Sequence, residues 1–331
     1  MLPSVATAAT DLRQRHALPL QGPVAGRCRR PDGRYDLTVT RIAEILAKGE
    51  TTFSFEFFPP RNDAEQATLV HALRELEPLE PSFVSVTYRG GPSSRRRTYD
   101  LVVGMLRTTE LVPMAHLICA AHSRLELAEI LVDLRKAGVE NLMALGGDPP
   151  TDPDSSAGEL VHAIELVHLA KAIGGFSIGV AAHPGGHPKS PDLRSDREHL
   201  AAKLSLADFA VTQFFFEADQ YFRLVDDLAL LGVDKPVLPG IMPVTSLRSI
   251  PRMATMGAAV PSWLVERLEA RQDAESVREE GIQAATALCD RLLADGAPGL
   301  HFYTLNQSSA TRQIHQRLVG GGAAGRAEGA V

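Results

Sequence analysis

The chain has 331 residues, 44% of them hydrophobic and 22% charged, which is enough to bury one substantial core and rules out a peptide-scale or wholly disordered protein. Its net charge of -6 supplies no global field for a nucleic-acid backbone, so nucleic acid is not expected as the main partner. Cys28, Cys119 and Cys289 stand alone, without CxxC spacing, which points to a reducing, cytoplasmic setting; no apolar run approaches the roughly 20 residues of a membrane helix, so no membrane partner is expected.

From the N-terminus, Met1 to Tyr35 mixes six arginines with four prolines and shows no sustained period. It reads as a flexible leader over residues 1–36; an organelle transit peptide is the weaker alternative, because no amphipathic helix is evident. The first strand is predicted over Thr52 to Phe58. Its alternation puts Ser54, Glu56 and Phe58 on one face and Phe53, Phe55 and Phe57 on the other, with Pro59 ending the strand. Glu56 is therefore expected among aromatic rings, where desolvation holds a proton on a carboxyl toward neutral pH, as a general acid requires. The alternative is a glutamate paired with a barrel lysine or arginine.

A helix over Ala64 to Arg74 leads to a second strand, Phe83 to Tyr88, and then to Ser93-Ser94-Arg95-Arg96-Arg97 at the start of a helix reaching Arg107. Such a start offers an anion both backbone NH groups and guanidinium groups, although solvated charges are the default. The third strand (Val112 to Cys119) and a helix (Arg124 to Ala137) precede the fourth strand, Asn141 to Leu145, which runs into Gly146-Gly147-Asp148-Pro149-Pro150. These glycines let a ligand approach the backbone, and the prolines are expected to hold Asp148 at the strand end; a plain turn is the competing reading.

A helix from Gly158 to Ile173 precedes the fifth strand, Ser177 to Ala182, whose following loop reads His183-Pro184-Gly185-Gly186-His187. The proline and glycines break helical i, i+4 geometry, so the histidines are read as facing a ligand and not as a metal pair. After a helix over Asp196 to Ser205, the sixth strand (Phe209 to Phe215) carries Gln213, whose amide can both donate to and accept from a heterocycle edge. A helix (Ala218 to Leu231), a strand (Pro236 to Ile241), a broken helical stretch (Ser246 to Arg271), a helix (Ala274 to Asp295) and a strand (Leu300 to Thr304) complete the order. A Gly/Ala-rich tail over residues 319–331 is expected to be mobile.

About eight strand and helix units over roughly 250 residues predict an α/β fold, a single (β/α)8 TIM barrel over residues 37–318, with function in the loops at the strand C-termini. A doubly wound open sheet is the competitor, but it lacks its usual GxGxxG.

Laid out in order, FSFEFFPPR, FVSVTY, AHLIC, GGDPP, AAHPGGHP, VTQFFF, PGIMPVTS and HFYTLN closely resemble the 5,10-methylenetetrahydrofolate reductases from about Leu37 to Leu318. The resemblance implies a barrel using FAD and NADH or NADPH to reduce methylenetetrahydrofolate to 5-methyltetrahydrofolate for methionine synthesis. It also implies Glu56 as general acid, Asp148 as the aspartate between pterin and flavin, and Gln213, Asp148 and Gln307 on the substrate side. Thr87, Tyr88, His116, Gly147, His183, His187, Asp196 and Lys203 would line the flavin, and no metal is implied. Gly146, His183 and Ala202 depart from the usual arginine, aromatic and basic residues, so FAD is expected to bind more weakly than in relatives. Two further readings stay open: direct hydride transfer from nicotinamide to folate, and a folate-binding barrel without turnover. A homo-oligomer is compatible with the sequence.

Overall fold

Eight parallel strands close on themselves in sequence order, with β1 (Thr52–Phe57) hydrogen-bonded to both β2 (Phe83–Val86) and β8 (Gly299–Tyr303). The structure is a computed structural model and describes residues 41–88, 92–148 and 158–324. The predicted leader therefore lies outside the described residues. The remaining strands are β3 (Pro113–Ile118), β4 (Asn141–Leu145), β5 (Ser177–Ala182), β6 (Phe209–Phe214) and β7 (Val237–Ile241). All eight fall within a residue or two of their predicted ranges because each is a short apolar run that is buried on both faces.

The helices are α1 (Ile42–Leu46), α2 (Asp63–Leu76), α3 (Pro92–Thr108), α4 (Arg124–Lys136), α5 (Ala163–Ile173), α6 (Leu193–Leu204), α7 (Ala218–Leu230), α8 (Ile250–Met256), α9 (Ser262–Glu269), α10 (Ala274–Ala294) and α11 (Ser309–Ala324). No helix among the described residues is long and apolar enough to cross a membrane. The main core lies between strands and helices, where Phe55 and Phe57 of β1 pack with Leu73 and Leu76 of α2. A second cluster, with Phe83, Met114, Met143, Phe209 and Leu238, plugs the barrel beneath α1. The backbone NH groups of Ile42 and Ala43, at the start of α1, donate to Asn141 Oδ1 (2.8 Å) and Ser177 Oγ (3.0 Å). The first residues of β4 and β5 thus satisfy the amides that a helix start leaves unpaired.

Two local expectations are corrected. The helix predicted from Gly158 begins at Ala163: Gly158 has φ +92° against the His122 backbone, Glu159 N donates to His122 O at 2.9 Å, and Glu165 accepts from the amides of Val161 and His162. Residues 158–162 are therefore tied to the β3–α4 loop before the helix starts. The tail predicted from residue 319 begins inside α11, which continues to Ala324; residues 325–331 lie outside the described residues. The stretch after β7 is broken as expected, into α8 and α9, and is held to α10 by Glu280, whose buried carboxylate pairs with Arg267 and Arg271. At Gly281 a Cβ would sit 1.7 Å from Val244 O, so only glycine lets α10 approach the β7 exit this closely.

Candidate active site

The chemistry collects at the C-terminal mouth. Ser54 and Glu56 of β1 face inward while Phe55 and Phe57 face the helices, as the alternation predicts. The surroundings of Glu56 correct the sequence reading, however. Its carboxyl, on a residue only 7% exposed, meets polar groups and no ring of phenylalanines: Ser85 Oγ at 3.4 Å, His116 Nε2 at 3.5 Å and His301 Nε2 at 3.7 Å. No lysine or arginine pairs with it among these contacts. Burial lowers the pKa of His116, outweighing the opposing pull of Glu56, so the contact between them is between a carboxyl and a neutral imidazole.

The end of β1 is clamped from β8. Thr304 Oγ1 donates to Glu56 O (2.6 Å), and the Asn306 side chain both accepts from Phe58 N (2.8 Å) and donates to Phe58 O (2.9 Å). Asn306 itself has φ +58°, a conformation asparagine tolerates better than most residues. Sequence reasoning missed Thr304, Asn306 and His301; HFYTLN was visible, but nothing local says that it faces the β1 acid.

Thr87, just past β2, is fixed by its backbone, with its NH donating to Phe57 O (3.0 Å) and its carbonyl accepting from Thr98 Oγ1 (2.8 Å). Its own hydroxyl is buried without a hydrogen-bond partner, as is His116 Nε2. Tyr88 is committed elsewhere: its hydroxyl bonds His122 Nε2, the two rings stack at 5.8 Å, and burial pushes the phenol up to about 12. Arg95 lies close enough to that pair to act on both groups, and Arg96 pairs with Asp100 at 2.9 Å.

Beside this lies a second cluster on the β5–α6 loop. The rings of His183 and His187 meet edge to face at 4.6 Å. Burial, reinforced by His187 and by the Lys203 and Arg197 cations, lowers the pKa of His183 to about 4, so this ring is neutral at physiological pH. Lys203 Nζ donates to Ala181 O at 3.0 Å. Asp196 serves mainly to build the loop, accepting from His187 N (3.0 Å) and Ser190 Oγ (3.2 Å) and pairing with Arg197. Arg197, with a side chain only 4% exposed, reaches His183 O (3.0 Å), Pro184 O (2.7 Å) and Asp227 (3.2 Å). A guanidinium spaced to collect two carbonyls and two carboxylates fixes the HPGGHP backbone, yet sequence reasoning passed it over.

Gly147 has φ +78°, and a Cβ there would come within 3.0 Å of Ile118, so glycine is required where β4 leaves the barrel. Asp148 follows with its side chain 98% exposed, 3.7 Å from Lys189 Nζ. The prolines expected to hold it lie outside the described residues, and the structure places the carboxylate in solvent, facing the β5–α6 loop. Gln213 also departs from expectation: its Nε2 donates to Met256 O (2.8 Å) and its Oε1 accepts from Phe214 N (3.0 Å), so the amide is occupied by the chain itself. Gln307 is exposed on the turn after β8.

A closed parallel barrel with a buried carboxyl and neutral imidazoles at its C-terminal mouth has the build of a (β/α)8-barrel enzyme. Residues 41–319 match the methylenetetrahydrofolate reductase family, and the chain belongs to that family. It is 35% identical to the 5,10-methylenetetrahydrofolate reductase of Pectobacterium carotovorum subsp. carotovorum, covering 84% of this chain and 92% of that one. The Escherichia coli K12 reductase is 34% identical over 84% and 93% of the two chains. Methylenetetrahydrofolate reductase (NADH) 1 of Arabidopsis thaliana is 33% identical over 85% of this chain and 50% of its own length. Among solved structures, a Clostridium thermocellum protein that binds two copies of 5-methyl-5,6,7,8-tetrahydrofolic acid shares the fold, with TM-score 0.60 and 13% identity over 83% of this chain and 98% of that one.

Proposed function

We propose that this chain reduces 5,10-methylenetetrahydrofolate to 5-methyltetrahydrofolate with NADH or NADPH as reductant and FAD as hydride carrier, supplying methyl groups for methionine synthesis in the cytoplasm. The observation that carries the reading is Glu56, a buried carboxyl at the mouth of a barrel that matches the family along its whole length.

The residues present fit a flavin. Thr87 Oγ1 and His116 Nε2 are buried polar atoms without a hydrogen-bond partner, and a heterocycle can satisfy both. Thr87, His116 and Gly147 would meet the ring system, while His183, His187 and Lys203 would meet the polar chain, in a loop shaped by Asp196 and Arg197. When bound, FAD supplies a store for the hydride between nicotinamide and folate. Tyr88 contributes as the support of His122, and Asp148 with Gln307 lines the open side.

Reduction of the methylene bridge by NAD(P)H consumes one proton per turnover, and the chain must deliver it. Glu56 in its acid form gives that proton to the folate ring nitrogen whose bond to the bridging carbon breaks, and the electrons of that bond remain on nitrogen. The resulting iminium cation is stabilised by the negative charge of Asp148 as the bound substrate excludes water from the mouth. Ser85, at 3.4 Å, donates to the carboxylate left behind. Gln213 reads the pterin by exchanging its bond to Met256 O for bonds to the ligand.

The test is an absorbance spectrum of the purified protein together with NAD(P)H oxidation in the presence of methylenetetrahydrofolate. Flavin bands and folate-dependent oxidation are expected. Oxidation without flavin would replace the carrier by direct hydride transfer, and folate binding without oxidation would make the barrel a binding protein.

A further inference from the structure

Behind Glu56 lies a buried couple that neither the motifs nor the family match assigns. Ser54 and His301 face each other in the β1–β8 register, and both are fully buried. Ser54 Oγ lies 2.8 Å from His301 Nδ1 and 3.3 Å from Leu300 O. A hydroxyl has one proton and a carbonyl oxygen only accepts, so both contacts are hydrogen bonds at once only if Ser54 donates to Leu300 O and accepts from a protonated Nδ1. In the neutral ring this leaves Nε2 bare.

That bare nitrogen points at the acid, with Glu56 Oε2 at 3.7 Å and Ser85 Oγ at 3.4 Å. Beside an ionised carboxylate it would set lone pair against lone pair; beside a protonated carboxyl it is an acceptor. Phe83 stacks on the imidazole at 5.9 Å and the Tyr303 ring meets it edge-on at 5.4 Å, so the ring is held in one orientation. The other titratable groups facing the pair are neutral. Burial lowers the pKa of His116 and raises that of Tyr303 well above the usual phenol value, and the Tyr303 hydroxyl is spent on Thr212 O at 2.7 Å.

We propose that Ser54 is a positioning residue that locks His301 in the Nδ1–H tautomer, so that its bare Nε2 keeps the catalytic proton on Glu56 until substrate takes it. The proposal rests on the function proposed above for Glu56. No proton leaves the pair through Ser54, whose contacts end in the strand backbone; after each turnover the carboxylate takes its next proton from water at the mouth.

The experiment has two independent arms. Nitrogen-15 NMR of histidine-labelled protein, with His301 identified by its loss in His301→Gln, should show a pyrrole-type Nδ1 and a pyridine-type Nε2; an Nε2–H pattern would overturn the lock. In the second arm, Ser54→Ala frees the ring to donate from Nε2, so the alkaline limb of folate-dependent turnover should move down by about one pH unit with KM unchanged below the limb. Ser54→Thr should restore the limb, and His301→Asn, which loses the acceptor, should move it the same way as Ser54→Ala. An unmoved limb in both Ser54→Ala and His301→Asn would overturn the proposal. Wild-type protein without folate-dependent oxidation would sink the functional reading, and the NMR pattern would then decide the lock by itself.

Discussion

Replacing Glu56 with glutamine removes the transferable acid proton and the charge left behind, and nearly keeps the side chain's shape. The side chains are nearly isosteric, and the nearest partner, Ser85 Oγ, stands at 3.4 Å, with His116 and His301 farther away. The folding cost should therefore stay within about 1 kcal/mol, the scale of one ordinary hydrogen bond. The chemical cost is larger, because a positioned acid contributes typically 10²–10⁴-fold, equivalent to about 3–5 kcal/mol of barrier. That loss should fall on one half of the cycle only. In rapid-mixing experiments, oxidation of the reduced enzyme by methylenetetrahydrofolate should slow by this factor, while reduction by NAD(P)H, which needs no acid at the bridging carbon, should stay within about twofold. Equal losses in the two halves would refute the assignment of Glu56, and a large drop in thermal midpoint would show that the carboxyl serves the fold.

Three further outcomes follow from the loops. Asp148→Asn should leave stability within about 0.5 kcal/mol, since the side chain is solvent-exposed with only a 3.7 Å contact to Lys189, yet slow the folate step; thermal melts and rapid mixing separate the two effects, and an unfolded variant would return the residue to a turn-forming role. FAD should bind with marked salt dependence, because Gly146 and Ala202 leave fewer paired cations; a Cβ at Gly146 would have its nearest neighbour at 3.8 Å, so Gly146→Arg has room to tighten binding, as titrations at low and high salt would show. Folded His183 takes up its proton only near pH 4, whereas an unfolded histidine does so near 6.5. Stability should therefore be fully present above that value and fall through the window as pH drops, by up to about 3 kcal/mol. Urea midpoints across this range should show a shallower slope in His183→Phe.

Short-range pattern was sufficient for the frame of this protein. Buried parallel strands are near-continuous apolar runs and their helices amphipathic stripes, so β4 and β5 could be bounded to the residue from Asn141–Leu145 and Ser177–Ala182 alone. The period of two in FSFEFF likewise settled which face of β1 carries Glu56, because a strand has only two faces. Tertiary structure decided what that face meets. Glu56 was expected among rings, but Phe55 and Phe57 lie on the opposite, helix-facing side of β1, and closure of the barrel brings Ser85, His116 and His301 to the carboxyl from three other strands. Ser54 and His301 are 247 positions apart, and no local period carries information over that distance. The same holds for α1, whose five residues are too few to form a helix alone and depend on Asn141 and Ser177, and for α11, which packs His315 against Phe53 and pairs Arg312 with Glu75. Arg197, Asp148 and Gln213 show the same division: sequence supplies the guanidinium, the carboxylate and the amide, and only the folded loops determine that the first is buried, the second solvated and the third already bonded to Met256.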